Sequence, residues 1–258
     1  MQFLGIDLAW RPDNPSGVAL LAGTRLPLRL REVGTVPGHA AALAWIGGHT
    51  RRETSAVAID APLLGTERPG RRGCDDAISR AFGAYHASTH TPPRLRHLRD
   101  FTRALVVEYG RGSFDPGRRP GPGHPAIREV YPNALQVFLF NLAPGATIVK
   151  YKKRRFGTKR RWAEEGLAPF VARCARTIGD RYVSTADAGW GVLVGDRPAA
   201  GMSTAELKAI EDRWDALLCA LAAVLEWLVP GAVRAYADGD WRRGYILAPA
   251  SPGTGSRT

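Results

Sequence analysis

The chain opens on an apolar run, Gln2-Phe3-Leu4-Gly5-Ile6, that ends in an acid at Asp7. Residues 2–8 read as a first strand. A Pro/Asp/Asn/Ser-Gly turn over 12–17 leads to a second, Gly17-Val18-Ala19-Leu20-Leu21. Residues 26–36, with Arg29, Arg31 and Glu32 interspersed, read as a third. Pro37-Gly38 enters an Ala-rich helix over 39–49, and Ala56-Val57-Ala58-Ile59 is a fourth strand that also ends in an acid, Asp60. Short turns among the first three strands predict an antiparallel meander. A helical crossover before the fourth lets it lie parallel to the first. Parallel neighbours end on the same edge, so Asp7 and Asp60 are expected together where open α/β sheets place ligands.

Beyond Asp60 the pattern is less regular. Residues 65–73 are rich in Gly, Pro and Arg, 75–82 read as a short helix, and 90–93 as a loop. A helix is expected over 95–109 and a loop or lid over 110–125. Residues 127–131 read as a fifth strand stopped by Pro132, and 136–140 continue apolar. An amphipathic helix is expected over 163–178. The last helix opens with Ser203-Thr204-Ala205-Glu206, a capping box, and runs to about Leu228 before Pro230-Gly231. A short strand over 244–247 follows. The predicted class is α/β: a mixed sheet, strands one to three antiparallel and strands four and five parallel, flanked by helices. Residues 1–249 form one domain with 64–125 as an insertion or lid, and 250–258 a Pro/Gly/Ser-rich tail expected to be disordered.

Two further acids, Asp212 and Asp215, lie three apart on adjoining positions of one face of that last helix. Cys219, Ala222 and Ala223 follow on the same face. Small apolar residues there suit close packing, so the pair is expected to face inward; the alternative is a solvated face beside Glu211. Acids at buried strand ends are costly unless paired or metal-bound. Two unit charges at about 4 Å repel by roughly 4 kcal/mol at an effective dielectric near 20. A cluster of Asp7, Asp60, Asp212 and Asp215 therefore makes most sense around Mg²⁺ or Mn²⁺, which take oxygen ligands and, as a pair, can activate water and stabilise a leaving oxygen in phosphodiester cleavage. Glu129 is a possible fifth acid on strand five; the alternative is an ion pair with a neighbouring Arg.

Charge adds a partner. The 258 residues are 45% hydrophobic, enough for a full core, and carry a formal net charge of +12. Such an excess favours acidic partners, nucleic acid foremost. It is concentrated in Lys150, Lys152, Lys153, Arg154, Arg155, Lys159, Arg160 and Arg161, interleaved with Tyr151, Phe156 and Trp162. Those residues could hold phosphates and stack bases, with Arg71, Arg72, Arg118 and Arg119 extending the surface. A solvated charge run is the alternative. The three cysteines are widely spaced and no basic-then-apolar leader is evident, so a cytoplasmic protein is expected. No apolar stretch is long enough to span a bilayer. Fingerprints of serine hydrolases, P-loop enzymes and dinucleotide binders are missing.

Six segments carry a resemblance: G-I-D-L-A-W at 5–10, A-I-D-A-P-L at 58–63, R-G-C-D at 72–75, E-V-Y-P at 129–132, W-D-A-L-L-C-A-L-A-A at 214–223 and G-Y-I-L-A-P at 244–249. Together they resemble the RNase H-like superfamily, and within it a bacterial and archaeal family of unknown function described as predicted RNase H-like nucleases. The resemblance implies a mixed β-sheet flanked by helices and two-metal phosphodiester cleavage. Asp7 matches the first-strand acid and Asp60 the fourth-strand acid, while Asp212 and Asp215 look like the terminal-helix acids of RuvC-type resolvases. The helix over 39–49 supplies no acid, which departs from the RNase HI pattern. The expected activity is a metal-dependent nuclease. Its rivals are a non-catalytic nucleic-acid binder on the same fold and a phosphotransferase of the sugar-kinase and actin type; the latter is disfavoured by Leu8-Ala9-Trp10 where small residues would surround phosphates.

Overall fold

Alternate burial along the first strand sets the layers. A computed structural model describes residues 1–67, 70–91 and 96–250. In β1 (Gln2–Asp7), Leu4 and Ile6 join one apolar cluster and Phe3 another, on opposite faces of the sheet. Side chains two apart share a face, so Gly5 and Asp7 lie with Phe3. β2 (Pro15–Ala22) and β3 (Arg29–Pro37) complete an antiparallel meander. After α1 (Gly38–Thr50), β4 (Ser55–Ile59) returns parallel to β1. Past α2 (Gly73–Phe82) and α3 (Arg96–Tyr109), β5 (Ala126–Glu129) adds parallel to β4. The five-stranded mixed sheet has the order β3-β2-β1-β4-β5.

Helices cover both faces. Ala42 and Ile46 of α1 and Leu98, Phe101 and Leu105 of α3 pack on the Leu4, Ile6, Val57 and Ile59 face. The other face carries α4 (Pro132–Leu139), then α5 (Lys159–Arg161), which continues through a π-helical turn at Trp162–Leu167 into α6 (Ala168–Ile178). It also carries α7 (Ala188–Gly195) and the 25-residue α8 (Thr204–Leu228). The expected capping box opens α8: the Ser203 hydroxyl accepts from the Glu206 N–H at 3.2 Å, and the Glu206 carboxylate accepts from the Ser203 N–H at 2.7 Å. A separate antiparallel ribbon, β6 (Val233–Ala237) and β7 (Tyr245–Pro249), meets the end of β5 through a bridge from Val130 to Leu247.

α8 lies directly on β1 and β2 because those strands present small residues at the points where it crosses them. A Cβ on Gly5 would stand 2.0 Å from the Ala216 carbonyl oxygen, and one on Gly17 would stand 2.1 Å from that of Asp212. Gly17 is the cross-strand partner of Asp7, and Ala19 that of Gly5. Ala56 and Ala58 keep β4 equally low on the same face. Residues 212, 216 and 220, one i, i+4 row of α8, therefore ride along a trough of small residues.

Several expected boundaries shift. The third strand starts at Arg29 rather than 26, past Pro27, which has no N–H for a ladder. The fifth ends at Glu129 rather than 131. The apolar stretch after Pro132 is helix, since Pro132 sits at its first turn, where a missing N–H costs nothing. The expected loop at 90–93 and helix start at 95 fall partly on residues 92–95, and the tail beyond 250 on 251–258; both lie outside the described residues. No helix among the described residues is long and apolar enough to cross a membrane.

The close approach of α8 predicts a sharp contrast between glycines. Gly5→Ala should lower stability in urea by at least about 1–3 kcal/mol, the usual cost of overpacking. Gly34→Ala, in β3 with nothing within 4 Å of its would-be Cβ, should change it little. Equal effects would mean that α8 does not depend on the trough.

Candidate functional site

Period-two geometry carries Asp7 and Asp60 to one place. Both follow the α8-facing positions of adjacent parallel strands, Gly5 on β1 and Ala58 on β4, and these two residues are partners in register. The Asp60 N–H donates to the Ile6 carbonyl at 2.9 Å, which extends the ladder to the strand ends. Above them the trough sets Asp212 over Gly17, beside Asp7. One face of α8 thus delivers Glu211, Asp212 and Asp215, all buried, to the sheet edge. The Asp7 and Asp212 carboxyls interact directly, which helps to raise Asp7 above the ordinary carboxylate range. The alternative of a solvated Asp pair is not what the fold adopts.

Two ammonium groups thread the acids. Lys208 Nζ bonds Asp212 and lies 3.1 Å from Glu211 Oε1. Lys152 Nζ bonds Asp215 and lies 3.3 Å from the same Glu211 oxygen. The other Glu211 oxygen, Oε2, is buried without a hydrogen-bond partner. Five carboxylates, Asp7, Asp60, Glu211, Asp212 and Asp215, face two cations, and the imbalance appears in their acidities. Burial raises Asp7 to about 7 against the pull of Lys152, with Asp212 adding repulsion. Burial likewise raises Asp215 to about 6, opposed by Lys152. Asp60 is driven well above the carboxylate range by burial and then by Asp7. Burial works against the Lys152 ammonium, yet Asp215, Tyr151 and Asp7 hold its pKa above the ordinary lysine value. Among the described residues, no three His, Cys, Asp or Glu side chains stand arranged to hold a metal ion. The ammonium groups sit between Asp212, Glu211 and Asp215 instead.

These groups line a cleft of about 660 Å³. Its walls include Asp7, Asp60, Glu211, Asp212, Lys152 and Lys208, with Lys153 and Arg154 on one side. Asp215 lies behind the wall, its oxygens taken by the Tyr151 hydroxyl and Lys152. Glu129 also reaches the cleft, but as the ion-pair alternative has it: Arg72 grips it through two nitrogens, at 2.5 and 2.8 Å, and the Leu63 N–H donates to it at 2.9 Å. The same Arg72 binds Asp75 at 2.9 and 3.0 Å. The R-G-C-D, E-V-Y-P and A-I-D-A-P-L segments are thus one buried network beside Asp60.

The basic surface needs correction. Arg72 is inside the network just described. Trp162, expected to stack bases, is fully buried, and its indole N–H donates to the Tyr151 carbonyl at 2.7 Å. Tyr151 is equally buried, stacked on Phe170 with centroids 3.7 Å apart. Lys152 belongs to the acid cluster. Arg71 pairs with Asp76 at 2.6 Å; Arg160 and Arg161 pair with Glu164 and Glu165, each at 3.0 Å, on the helical i, i+4 spacing. Those three, with Lys159, Arg118 and Arg119, line no cleft described here. Lys150, Lys153, Arg154 and Arg155 do. Three residues escaped the sequence reading: Glu211, Lys208 and Trp10, the last a half-exposed indole on the cleft wall. Glu211 and Asp215 are four apart, as are Lys208 and Asp212, and that helical spacing was the available signal.

Raised carboxyl pKa values have a definite sign in stability. An unfolded Asp titrates near 3.8, whereas folded Asp7 and Asp215 keep protons to about pH 7 and 6. Between those limits the folded chain binds more protons, so this contribution is complete below the unfolded pKa and is lost as pH rises through 6–7. Asn mimics a protonated Asp. In chelator, Asp7→Asn should be near neutral at pH 4 and stabilising at pH 7.5 by about 1–2 kcal/mol in urea unfolding. A variant destabilised equally at both pH values would show that Asp7 is an ordinary ionised partner.

Comparison of the chain with protein-family models, with curated proteins and with solved structures finds no match in any of the three.

Proposed function

We propose that this chain hydrolyses phosphodiester bonds in nucleic acid with Mg²⁺ or Mn²⁺ at the carboxylate cleft, on an RNase H-like sheet. The observation that carries the proposal is the charge imbalance: five carboxylates from β1, β4 and α8 converge on two ammonium groups. The donor atoms suit the metal in kind, although no three of these side chains stand arranged around one ion among the described residues. All five are hard oxygen ligands, and buried Glu211 Oε2 has no partner. Asp7, Asp60, Glu211 and Asp212 would hold the ions. The ions, once bound, would activate water and stabilise the leaving oxygen.

The chain's own residues supply the rest. Lys152 and Lys208, on flexible stems, balance the acids before metal arrives. Asp215 and Tyr151 hold Lys152 at the cleft wall. The Arg72–Glu129 pair fixes the end of β5 beside Asp60. Lys153 and Arg154 are exposed on the wall with no carboxylate partner among the described residues and would meet phosphates, and Trp10 offers a face for stacking a base. The free, buried cysteines support a reducing, cytoplasmic setting.

A second reading, non-catalytic binding of nucleic acid, is favoured by the Lys208–Glu211–Lys152 chain, which neutralises part of the cluster without metal. Mn²⁺ separates the two. At one hundred times its dissociation constant, a metal bound only by the folded state adds about 2.7 kcal/mol of stability. The hydrolase reading predicts such a stabilisation, cleavage of single-stranded, branched or hybrid substrates in Mn²⁺ but not in chelator, and its loss in Asp7→Asn with binding retained. No cleavage of any of these substrates and no response to Mn²⁺ would leave the binding reading. Trp10→Ala should weaken single-strand binding by about 1–3 kcal/mol, read by anisotropy.

A further inference from the structure

A second cavity of about 320 Å³ adjoins the acid cleft and shares Thr89, His90, Tyr131, Asn133, Lys152 and Arg154 with it. Its charge is opposite. Lys150, Lys152, Arg154 and Arg155 line it with His86 and His90, and no carboxylate among the described residues does. Lys152 is committed to Asp215 and Glu211. The other three make no ion pair with a carboxylate among the described residues. Lys150 Nζ instead donates to the His86 carbonyl at 2.7 Å, and His86 holds a left-handed φ of 59° to present it. Arg154 bonds His90. Cations of like sign repel at such range, and among the described residues no carboxylate lines the cavity to offset that repulsion. Burial and then Arg155 and Arg154 push the Lys150 ammonium below its ordinary pKa; burial and then Arg154 and Arg155 do the same to His90.

We propose that this cavity is a phosphate-binding subsite, in which Lys150, Arg154 and Arg155 hold a phosphate of the nucleic-acid substrate next to the one presented to the acids. It rests on the phosphodiester reading and deepens it: the two cavities divide the work, one collecting metal and the other collecting the anion. The cavity is of the size of a small-ligand site. The two cavities adjoin at Arg154 and Tyr131, so neighbouring phosphates of one strand would fall to one cavity and the other. A terminal phosphate and an internal one offer the same oxygens, and the test separates them.

Binding is measured in chelator, where cleavage cannot occur, by anisotropy of short single-stranded oligonucleotides carrying a 5′-phosphate, a 3′-phosphate or neither. Lys150→Gln with Arg155→Gln should weaken binding roughly tenfold or more, as expected for lost charge-assisted bonds. The dependence of log K on log salt should flatten by about 0.7 for each contact removed. Arg160→Gln with Arg161→Gln, on paired residues outside both cavities, should leave both quantities close to wild type. Dependence on a terminal phosphate assigns the subsite to chain ends; loss without it assigns the subsite to internal phosphates. Equal losses in the two double variants, no loss in the first, or no binding by wild type would overturn the subsite. Pocket-dependent binding without metal-dependent cleavage would sustain the subsite and remove the hydrolase. Circular dichroism confirms folding of the variants, whose substituted side chains are wholly or partly exposed.

Discussion

The approach of α8 to the sheet is the constraint on which everything else depends. Backbone meets backbone at Gly5 and Gly17, where a single added carbon would overlap the carbonyl oxygens of Ala216 and Asp212. That contact fixes the depth and the rotation of a helix of 25 residues. Because Gly17 pairs with Asp7, the same contact sets Asp212 against Asp7. A larger side chain beneath would lift Glu211, Asp212 and Asp215 away from the strand ends together. The small residues are thus as much part of the site as the acids.

Charge density is the consequence. Burying several carboxylates together is unfavourable unless protons, ammonium groups or metal ions offset them. Here the offset is shared: burial and the neighbouring acids hold Asp7 up to about 7, while Lys152 and Lys208 tie Asp215, Glu211 and Asp212 into one chain. Next door the sign reverses, with cations that lack carboxylate partners. An acid cleft beside a cationic one is the arrangement on which the proposed phosphodiester reading rests. Burial of Trp162 and Tyr151 anchors the segment that carries Lys150 to Arg155, so that its charges are presented from a fixed backbone.

Much of this was legible in the chain. Short turns and one helical crossover predicted the antiparallel meander and the parallel return of β4, and with them the meeting of Asp7 and Asp60. Small residues following Asp212 and Asp215 signalled the inward face of α8. What escaped depends on which way neighbouring side chains turn. The basic run alternates so densely that nothing local distinguishes Lys152, which turns in to Asp215, from Lys153, which stays out. Trp162 and Tyr151 look like surface aromatics beside so many charges, yet both are buried, Trp162 bonded to the Tyr151 carbonyl and Tyr151 stacked on Phe170. Arg72 and Glu129 are separated by 57 positions, and only the fold shows that they pair. The role of Gly5 and Gly17 was invisible as well, because a strand glycine has several causes and only the packed helix selects among them.

On the proposed reading, a metal ion entering the carboxylate cluster has to displace the protons that burial keeps there. Calorimetric titration of Mn²⁺ at pH 6, repeated in buffers of different ionisation enthalpy, measures the protons exchanged on binding. The account predicts saturable binding with release of about one proton or more, because the metal must displace the proton held by Asp7. Binding without proton release, or no binding, would contradict it.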